Sequence, residues 1–131
     1  MKMKDERGKI MNQSNYRKTE YNLPFIEQRA DPYVYRAADG TYYFTASVPT
    51  YDRIVLRHAD TILGLRDAKE ITLWNKHSEG PQSIHIWAPE IHYINGGWYI
   101  YYAAGDKDDV WEIRPYVLRC TGDDPMKDSW E

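Results

Sequence analysis

The 131-residue sequence has one cysteine, two phenylalanines and no long run of apolar residues. A single cysteine, Cys120, excludes an internal disulfide and a cysteine-based metal cluster, and we expect it to be a buried thiol on a strand. The longest aromatic and aliphatic stretch, residues 98–104, is far too short to cross a bilayer. The N-terminus also lacks the apolar segment of a secretory signal. These absences predict a cytoplasmic protein without a membrane span.

The chain also carries little excess charge of either sign. It has 17 basic and 20 acidic side chains, which give a formal net charge of −3. Such a balance produces no long-range field that would attract a phosphate backbone or an anionic membrane surface. Neither nucleic acid nor a membrane is therefore expected as a partner. Residues 1–20 are locally basic, with six Lys or Arg against three acids, and we predict a polar N-terminal arm over residues 1–22.

Aromatic residues with a polar group are abundant, with 12 Tyr and 5 Trp, and they occur in a repeated pattern. The segment at 31–35, the turn at 39–40 and the segment at 42–46 recur as residues 89–93, 95–96 and 98–103. Pro89 follows Pro32 by 57 residues, and Tyr99 follows Tyr43 by 56. A unit of this length that is built from strands is typical of a β-propeller blade.

Each unit is predicted to be a four-stranded blade. Blade one, about 30–75, has strands at 33–37, 41–47, 53–58 and 70–74; blade two, about 84–131, has segments at 84–87, 90–94, 98–104 and 116–119 and ends with Trp130. Asn95-Gly96 between two such runs is a strong hairpin signal, and residues 105–109 are predicted to form a long polar loop. The fold is thus expected to be all-β, with residues 23–131 forming a partial β-propeller. Because Glu131 follows a core-type Trp130, we expect a truncated chain.

Asp31 is the first candidate for chemistry, because it directly precedes Pro32 at the start of a predicted strand. The proline favours an extended conformation for the residue before it. In a propeller the innermost strand of each blade lines the central channel, so a carboxylate at this place would face a ligand. An Asp-Pro pair that only initiates a turn is the alternative interpretation.

Two sequence motifs, one in each predicted blade, resemble those of a known family. The Ala30-Asp31-Pro32-Tyr33 motif, followed by residues 39–45 and 51–54, and the His85-Ile86-Trp87-Ala88-Pro89-Glu90 motif, within residues 85–93, resemble the amino-terminal part of glycoside hydrolase family 43. The resemblance runs from about Leu23 to the C-terminus. It implies a five-bladed β-propeller enzyme that cleaves arabinose- or xylose-containing polysaccharides, and the motifs are most similar to those of exo-acting α-L-arabinofuranosidases.

The resemblance also implies roles for individual residues. Asp31 corresponds to the general base of an inverting mechanism, in which a second carboxyl group protonates the leaving oxygen. The family places that glutamate acid, and the aspartate that tunes its pKa, in later blades, and no segment of this chain matches their motifs. Glu90 is therefore expected to line the pocket or to hold its shape. Asp52 is a further substrate-binding candidate.

Trp87 and His85 share one face of a strand by the period of two, with Ile84 and Ile86 on the other face. Trp87 is a candidate for stacking on a sugar, and packing between blades is the alternative. His85 is a candidate substrate contact, although a core or hydrogen-bonding histidine is the more ordinary role.

No cofactor or metal site is expected from the sequence. Residues 106–109 lack the spacing of a calcium-binding EF-hand loop, and the channel cation, such as calcium, that some family members hold has no visible ligand set here. The expected partner is an arabinose- or xylose-containing carbohydrate, and open blade edges favour self-association. A non-catalytic carbohydrate-binding or vestigial propeller fragment is the alternative function. Relatives are often exported, which weighs against the cytoplasmic expectation.

Overall fold

The computed structural model describes residues 24–131, which form seven strands and one short 3₁₀ helix. The strands are β1 (Ala30–Arg36), β2 (Tyr42–Ser47), β3 (Arg53–Ala59), β4 (Ile71–Asn75), β5 (Pro81–Ile94), β6 (Gly97–Asp106) and β7 (Asp109–Arg119), and the 3₁₀ helix is Leu63–Arg66. No helix in this range is long and apolar enough to span a membrane. The arm predicted for residues 1–22 lies outside the described residues.

The strands form two antiparallel sheets in which neighbours in sequence are neighbours in space. One sheet has the order β1-β2-β3-β4 and the other has the order β5-β6-β7. The predicted hairpins are confirmed: Gly40 (φ 85°) lies in the turn between β1 and β2, and Asn95 (φ 48°) and Gly96 (φ 84°) connect β5 to β6. Two consecutive positive φ angles are what a two-residue hairpin turn requires.

Three details of the second sheet differ from the prediction. The segments at 84–87 and 90–94 form one continuous strand, β5, because bulges accommodate the extra residues. The prediction of a long polar loop at 105–109 is wrong, because Asp106 pairs with Asp109 in a tight turn. The Asp108 amide donates to Asp106 Oδ1 (2.9 Å), so the polar side chain closes the turn. Within residues 24–131, the end of blade two at Trp130 does not form a strand, and Trp130 is joined to Cys120 by an isolated bridge.

The two sheets share one apolar core. β1 and β2 of the first sheet pack against β5 of the second. Buried side chains from both sheets fill the contact, among them Ile54, Leu56, Ile86, Ile91 and Ile100. Fully burying an aliphatic side chain of this size contributes about 1.5–3 kcal/mol. The shared core therefore holds the start of β1 close to β5, where the candidate site lies.

Cys120 and Trp130, which form the bridge after β7, belong to the same core. Cys120 is buried as predicted, and burial raises the pKa of its thiol. Trp130 is also buried and donates from Nε1 to the Pro125 carbonyl (3.1 Å). The thiol is therefore held mainly in its protonated, unreactive form.

A largely buried ion-pair network ties the segment before β1 to β4. Glu70 accepts from Arg29 (2.5 Å to Oε1) and from Arg57 (3.1 Å to Oε2), and all three side chains are less than one-fifth exposed. Arg57 also donates to the carbonyls of Leu65 and Arg66. Both guanidinium groups depend on one carboxylate, so removing it would leave two charges poorly compensated.

We predict that Glu70→Gln makes the fold less sensitive to acid. Burial alone would raise the pKa of Glu70, but the hydrogen bonds from Arg29 and Arg57 outweigh it and lower this pKa below 4.5. Glu70 therefore stabilises the fold above its ordinary pKa, and this stability is lost as the pH falls through the lowered pKa. Urea unfolding near pH 7 should show Glu70→Gln to be about 1–2 kcal/mol less stable than the unmodified chain.

Near pH 3 the same measurement should show a smaller difference between the two proteins, since the unmodified chain loses the contribution of Glu70. Glu79→Gln is the matched control, because Glu79 is 82% exposed and pairs only loosely with Lys107. A Glu70→Gln variant whose stability falls with pH as steeply as that of the unmodified chain would refute the role of this network.

Candidate active site

Asp31 lies at a bulge near the start of β1. The register with β2 shifts between Ala30 and Tyr33, and Asp31 has a φ of 49°. This left-handed conformation is unfavourable for a residue with a Cβ and occurs preferentially at functional sites. The bulge interrupts the normal alternation of side chains, so that the Asp31 carboxylate reaches a residue of the neighbouring strand.

That residue is Ser47, the last residue of β2. It is 2% exposed, and its hydroxyl donates to Asp31 Oδ2 (2.8 Å). The amide of Ala88, in β5 of the other sheet, donates to the same hydroxyl oxygen (2.7 Å). Sequence reasoning missed Ser47. The signal that could have found it is the hairpin register, which pairs Ser47 with Ala30 directly before Asp31.

Three aromatic rings form a cluster around Trp87, the residue before Ala88. His85 and Trp87 stack with their ring centroids 4.7 Å apart and an interplanar angle of 10°, so the prediction that they share one face is confirmed. Tyr51 meets Trp87 edge-on at 5.6 Å, and its carbonyl accepts from the amide of Ile86 (3.0 Å). Sequence reasoning did not single out Tyr51. Together, His85, Trp87 and Tyr51 form what we call the aromatic platform.

Bulges in β5 orient these side chains. The register with β6 shifts three times between Pro81 and Glu90. Positive φ angles occur at every third residue of this stretch, at Gln82 (66°), His85 (53°) and Ala88 (52°). Each bulge adds residues to β5 that have no partner in β6, and the local twist increases. Backbone strain is thus concentrated in the strand segment that carries the platform.

His85 has one further unusual feature. Its Nδ1 atom is buried, and within the described residues it has no hydrogen-bond partner. A buried polar atom without a partner is costly unless another group, such as a ligand hydroxyl, supplies the hydrogen bond. Nδ1 faces Gly105 of β6 and not the cavity that Ser47 lines, so His85 stays a prediction as a substrate contact.

A cavity of about 350 Å³ is lined by two neighbours of Asp31, the preceding residue Ala30 and the hydrogen-bond partner Ser47. Arg29, Ala30, Ser47, Pro49 and Tyr51 contribute to its wall. The volume falls at the lower end of the range for small-molecule sites, which is roughly 300–1,000 Å³. Because Ser47 and Tyr51 contribute to its wall, the cavity borders both the residue that binds Asp31 and the aromatic platform.

Glu90 and Asp52 occupy different surroundings from Asp31. Glu90 is exposed and pairs with His92 (3.3 Å). Burial first, and then the nearby charge of Glu90, raise the pKa of Tyr33, so Glu90 faces β1 further along the strand. Asp52 accepts from Thr50 (2.6 Å) and from Arg53 (3.1 Å) within its own turn. Both residues stay predictions as substrate contacts.

The part of the chain that the structure covers contains no set of metal ligands. Among residues 24–131, no three His, Cys, Asp or Glu side chains converge in a way that could hold an ion. The absence of a cofactor or channel cation stays a prediction.

Comparison with known proteins gives the family. The model of the glycosyl hydrolases family 43 matches residues 21–130. The chain belongs to this family. It is 56% identical over 110 residues to an "extracellular exo-alpha-(1->5)-L-arabinofuranosidase" of Streptomyces avermitilis, with 84% of this chain and 23% of that protein covered. It is 50% identical over 115 residues to the protein of the same name from Streptomyces chartreusis, with 88% of this chain and 35% of that protein covered.

Solved structures support the same assignment. An α-L-arabinofuranosidase from Lactobacillus brevis has a TM-score of 0.77 and 48% identity, over 85% of this chain and 37% of that one. A Cellvibrio cellulosa α-L-arabinanase in complex with arabinohexaose has a TM-score of 0.58 at 12% identity and supports the fold alone. The two sheets are therefore two blades of a β-propeller, as the repeat predicted.

The chain spans about a quarter to a third of the length of the curated relatives that it matches. The names of both Streptomyces proteins begin with "extracellular", so the expectation of a cytoplasmic location gains no support from them.

We predict that Ala88→Gly stabilises the fold by about 1 kcal/mol, because glycine relieves the left-handed strain and keeps the amide that donates to Ser47. Chemical unfolding of the two proteins measures the difference. Ala38→Gly is the control: Ala38 is also exposed but has no positive φ, so glycine should destabilise there. Equal losses of stability in both variants would contradict the strain at Ala88.

Proposed function

We propose that this chain supplies the general base and part of the sugar pocket of an inverting α-L-arabinofuranosidase. The observation that carries the proposal is the Asp31 carboxylate, which accepts a hydrogen bond from Ser47, a residue that lines a small cavity and also binds the amide next to Trp87 of the platform. A left-handed backbone, an oriented carboxylate and partly exposed aromatic rings near one another are typical of a glycosidase pocket. The family membership of the chain supports the same chemistry.

The two oxygens of Asp31 have different surroundings. Oδ2 accepts from Ser47, whereas Oδ1 has no hydrogen bond to any of the described residues. Oδ1 is thus available to accept a proton from water. As that proton moves to Asp31, the water oxygen attacks the anomeric carbon and the bond to the leaving oxygen breaks. The leaving oxygen takes its proton from a separate acid, and the sugar configuration inverts.

The platform would bind the sugar from one side. The face of Trp87 can pack against the C–H groups of an arabinofuranose ring, as aromatic rings do with apolar surfaces. His85 stacks on Trp87 and would hold that ring in position for the sugar. A cavity of about 350 Å³ suits one terminal pentose better than a long chain, which favours an exo-acting enzyme.

We predict that this chain hydrolyses substrates whose leaving group needs no protonation faster than substrates whose leaving group needs an acid. Hydrolysis of α-L-arabinofuranosyl fluoride, whose leaving group needs little protonation, should be detectable with a fluoride electrode and should fall by about 10²–10⁴-fold in Asp31→Ala. Arabinan oligosaccharides need an acid, so their hydrolysis by this chain should be slower by a similar factor.

Asp67→Ala is the control for that experiment, because Asp67 is an exposed carboxylate outside the site. It should leave fluoride hydrolysis unchanged. Equal rates in Asp31→Ala and the unmodified chain would show that Asp31 is not the base. If the chain binds arabinofuranosides but hydrolyses none of them, the non-catalytic carbohydrate-binding function replaces the enzymatic one.

A second prediction tests sugar binding independently of turnover. Trp87→Ala should weaken the binding of methyl α-L-arabinofuranoside by at least about tenfold, measured by NMR chemical-shift titration. Trp111→Ala is the matched control, since Trp111 is 88% exposed and lies away from the platform in β7. Unchanged affinity in Trp87→Ala would assign Trp87 to packing between blades. Methyl β-D-xyloside in the same titration tests whether the pocket prefers arabinose.

A further inference from the structure

The hydroxyl group of Ser47 connects two chain segments that are 41 residues apart in sequence. It accepts from the amide of Ala88 and donates to Asp31 Oδ2. An amide nitrogen can only donate, so the hydroxyl oxygen must act as acceptor there, and its single hydrogen is then directed to the carboxylate. The direction of both hydrogen bonds is therefore defined: Ala88 donates to Ser47, and Ser47 donates to Asp31.

Both partners of Ser47 are in the left-handed region. Asp31 has a φ of 49° and Ala88 has a φ of 52°, and each lies at a bulge of its strand. Either residue would have to break its hydrogen bond to Ser47 in order to relax to an extended conformation. Ser47 itself is almost fully buried, so water cannot readily replace a lost partner. The hydroxyl therefore holds both bulges in their observed conformation.

A neighbouring hydroxyl has a different role. Thr45, two residues earlier in β2, is fully buried and donates to the carbonyl of Val55 (2.8 Å) in β3. This bond lies within the first sheet, and it does not reach Asp31 or β5. Thr45 thus provides a buried hydroxyl on the same strand that stabilises the fold without contacting the candidate site.

We propose, on the basis of the proposed function, that Ser47 is a positioning residue that sets the distance and orientation of the Asp31 base relative to the bound sugar. Ala88 directly follows Trp87, so the hydroxyl that orients the carboxylate also anchors the platform on which the sugar would stack. It occupies Oδ2 and leaves Oδ1 for the attacking water. Ser47 acts through its hydrogen bonds to Asp31 and Ala88.

The test compares Ser47→Ala, Thr45→Val and Ser47→Thr in the full chain. In Ser47→Ala, kcat for α-L-arabinofuranosyl fluoride should fall by about 10²-fold, because the base is misplaced, and KM should rise by a smaller factor, because the platform loses one anchor. Hydrogen exchange of the Ala88 amide, measured by NMR, should become about tenfold faster. Thr45→Val should change none of these values. Ser47→Thr retains the hydroxyl and should restore the protection of Ala88.

The two readouts separate this inference from the proposed function. If the unmodified chain does not hydrolyse the fluoride, the proposed function fails. The exchange rate of the Ala88 amide then decides by itself whether Ser47 holds β5. Unchanged Ala88 exchange in Ser47→Ala overturns the inference. It is also overturned if Thr45→Val lowers kcat as much as Ser47→Ala does, since Ser47 would then act only through general stability.

Discussion

The contact of β1 and β2 with β5 is the constraint on which the candidate site depends. Asp31 belongs to one blade and the aromatic platform belongs mainly to the next, so neither blade alone contains both. Apolar side chains from both sheets fill the space between them and fix their relative position. Above this core, the Ser47 hydroxyl converts the general packing into a defined geometry, because hydrogen bonds are far more directional than apolar contacts.

Departures from ideal strand geometry position the residues of the candidate site. In a regular strand, side chains alternate strictly between two faces, and Asp31 would then follow the alternation of its neighbours. The bulges at Asp31, His85 and Ala88 change this alternation locally, and all three residues have left-handed backbone conformations. The sheets beneath, with their buried aliphatic residues, supply the stability that such strained residues require.

Polar groups in this region divide into satisfied and available ones. Glu70 is fully engaged by Arg29 and Arg57 and ties the segment preceding Asp31 to β4. Asp31 Oδ1 and His85 Nδ1, in contrast, have no hydrogen bond to the described residues. Asp31 is exposed, so its second oxygen can form a hydrogen bond that the protein itself does not make, whereas His85 Nδ1 is buried.

The sequence by itself determined the strands, the hairpins and the two-blade repeat, because alternation and turn residues such as Asn95-Gly96 act over a few neighbouring positions. It also identified Asp31 and Trp87 through their motifs. Only the tertiary structure decided the continuous β5 and the bridging role of Ser47. The first depends on the register with β6 and the second on contacts across 16 and 41 residues, which no local pattern encodes.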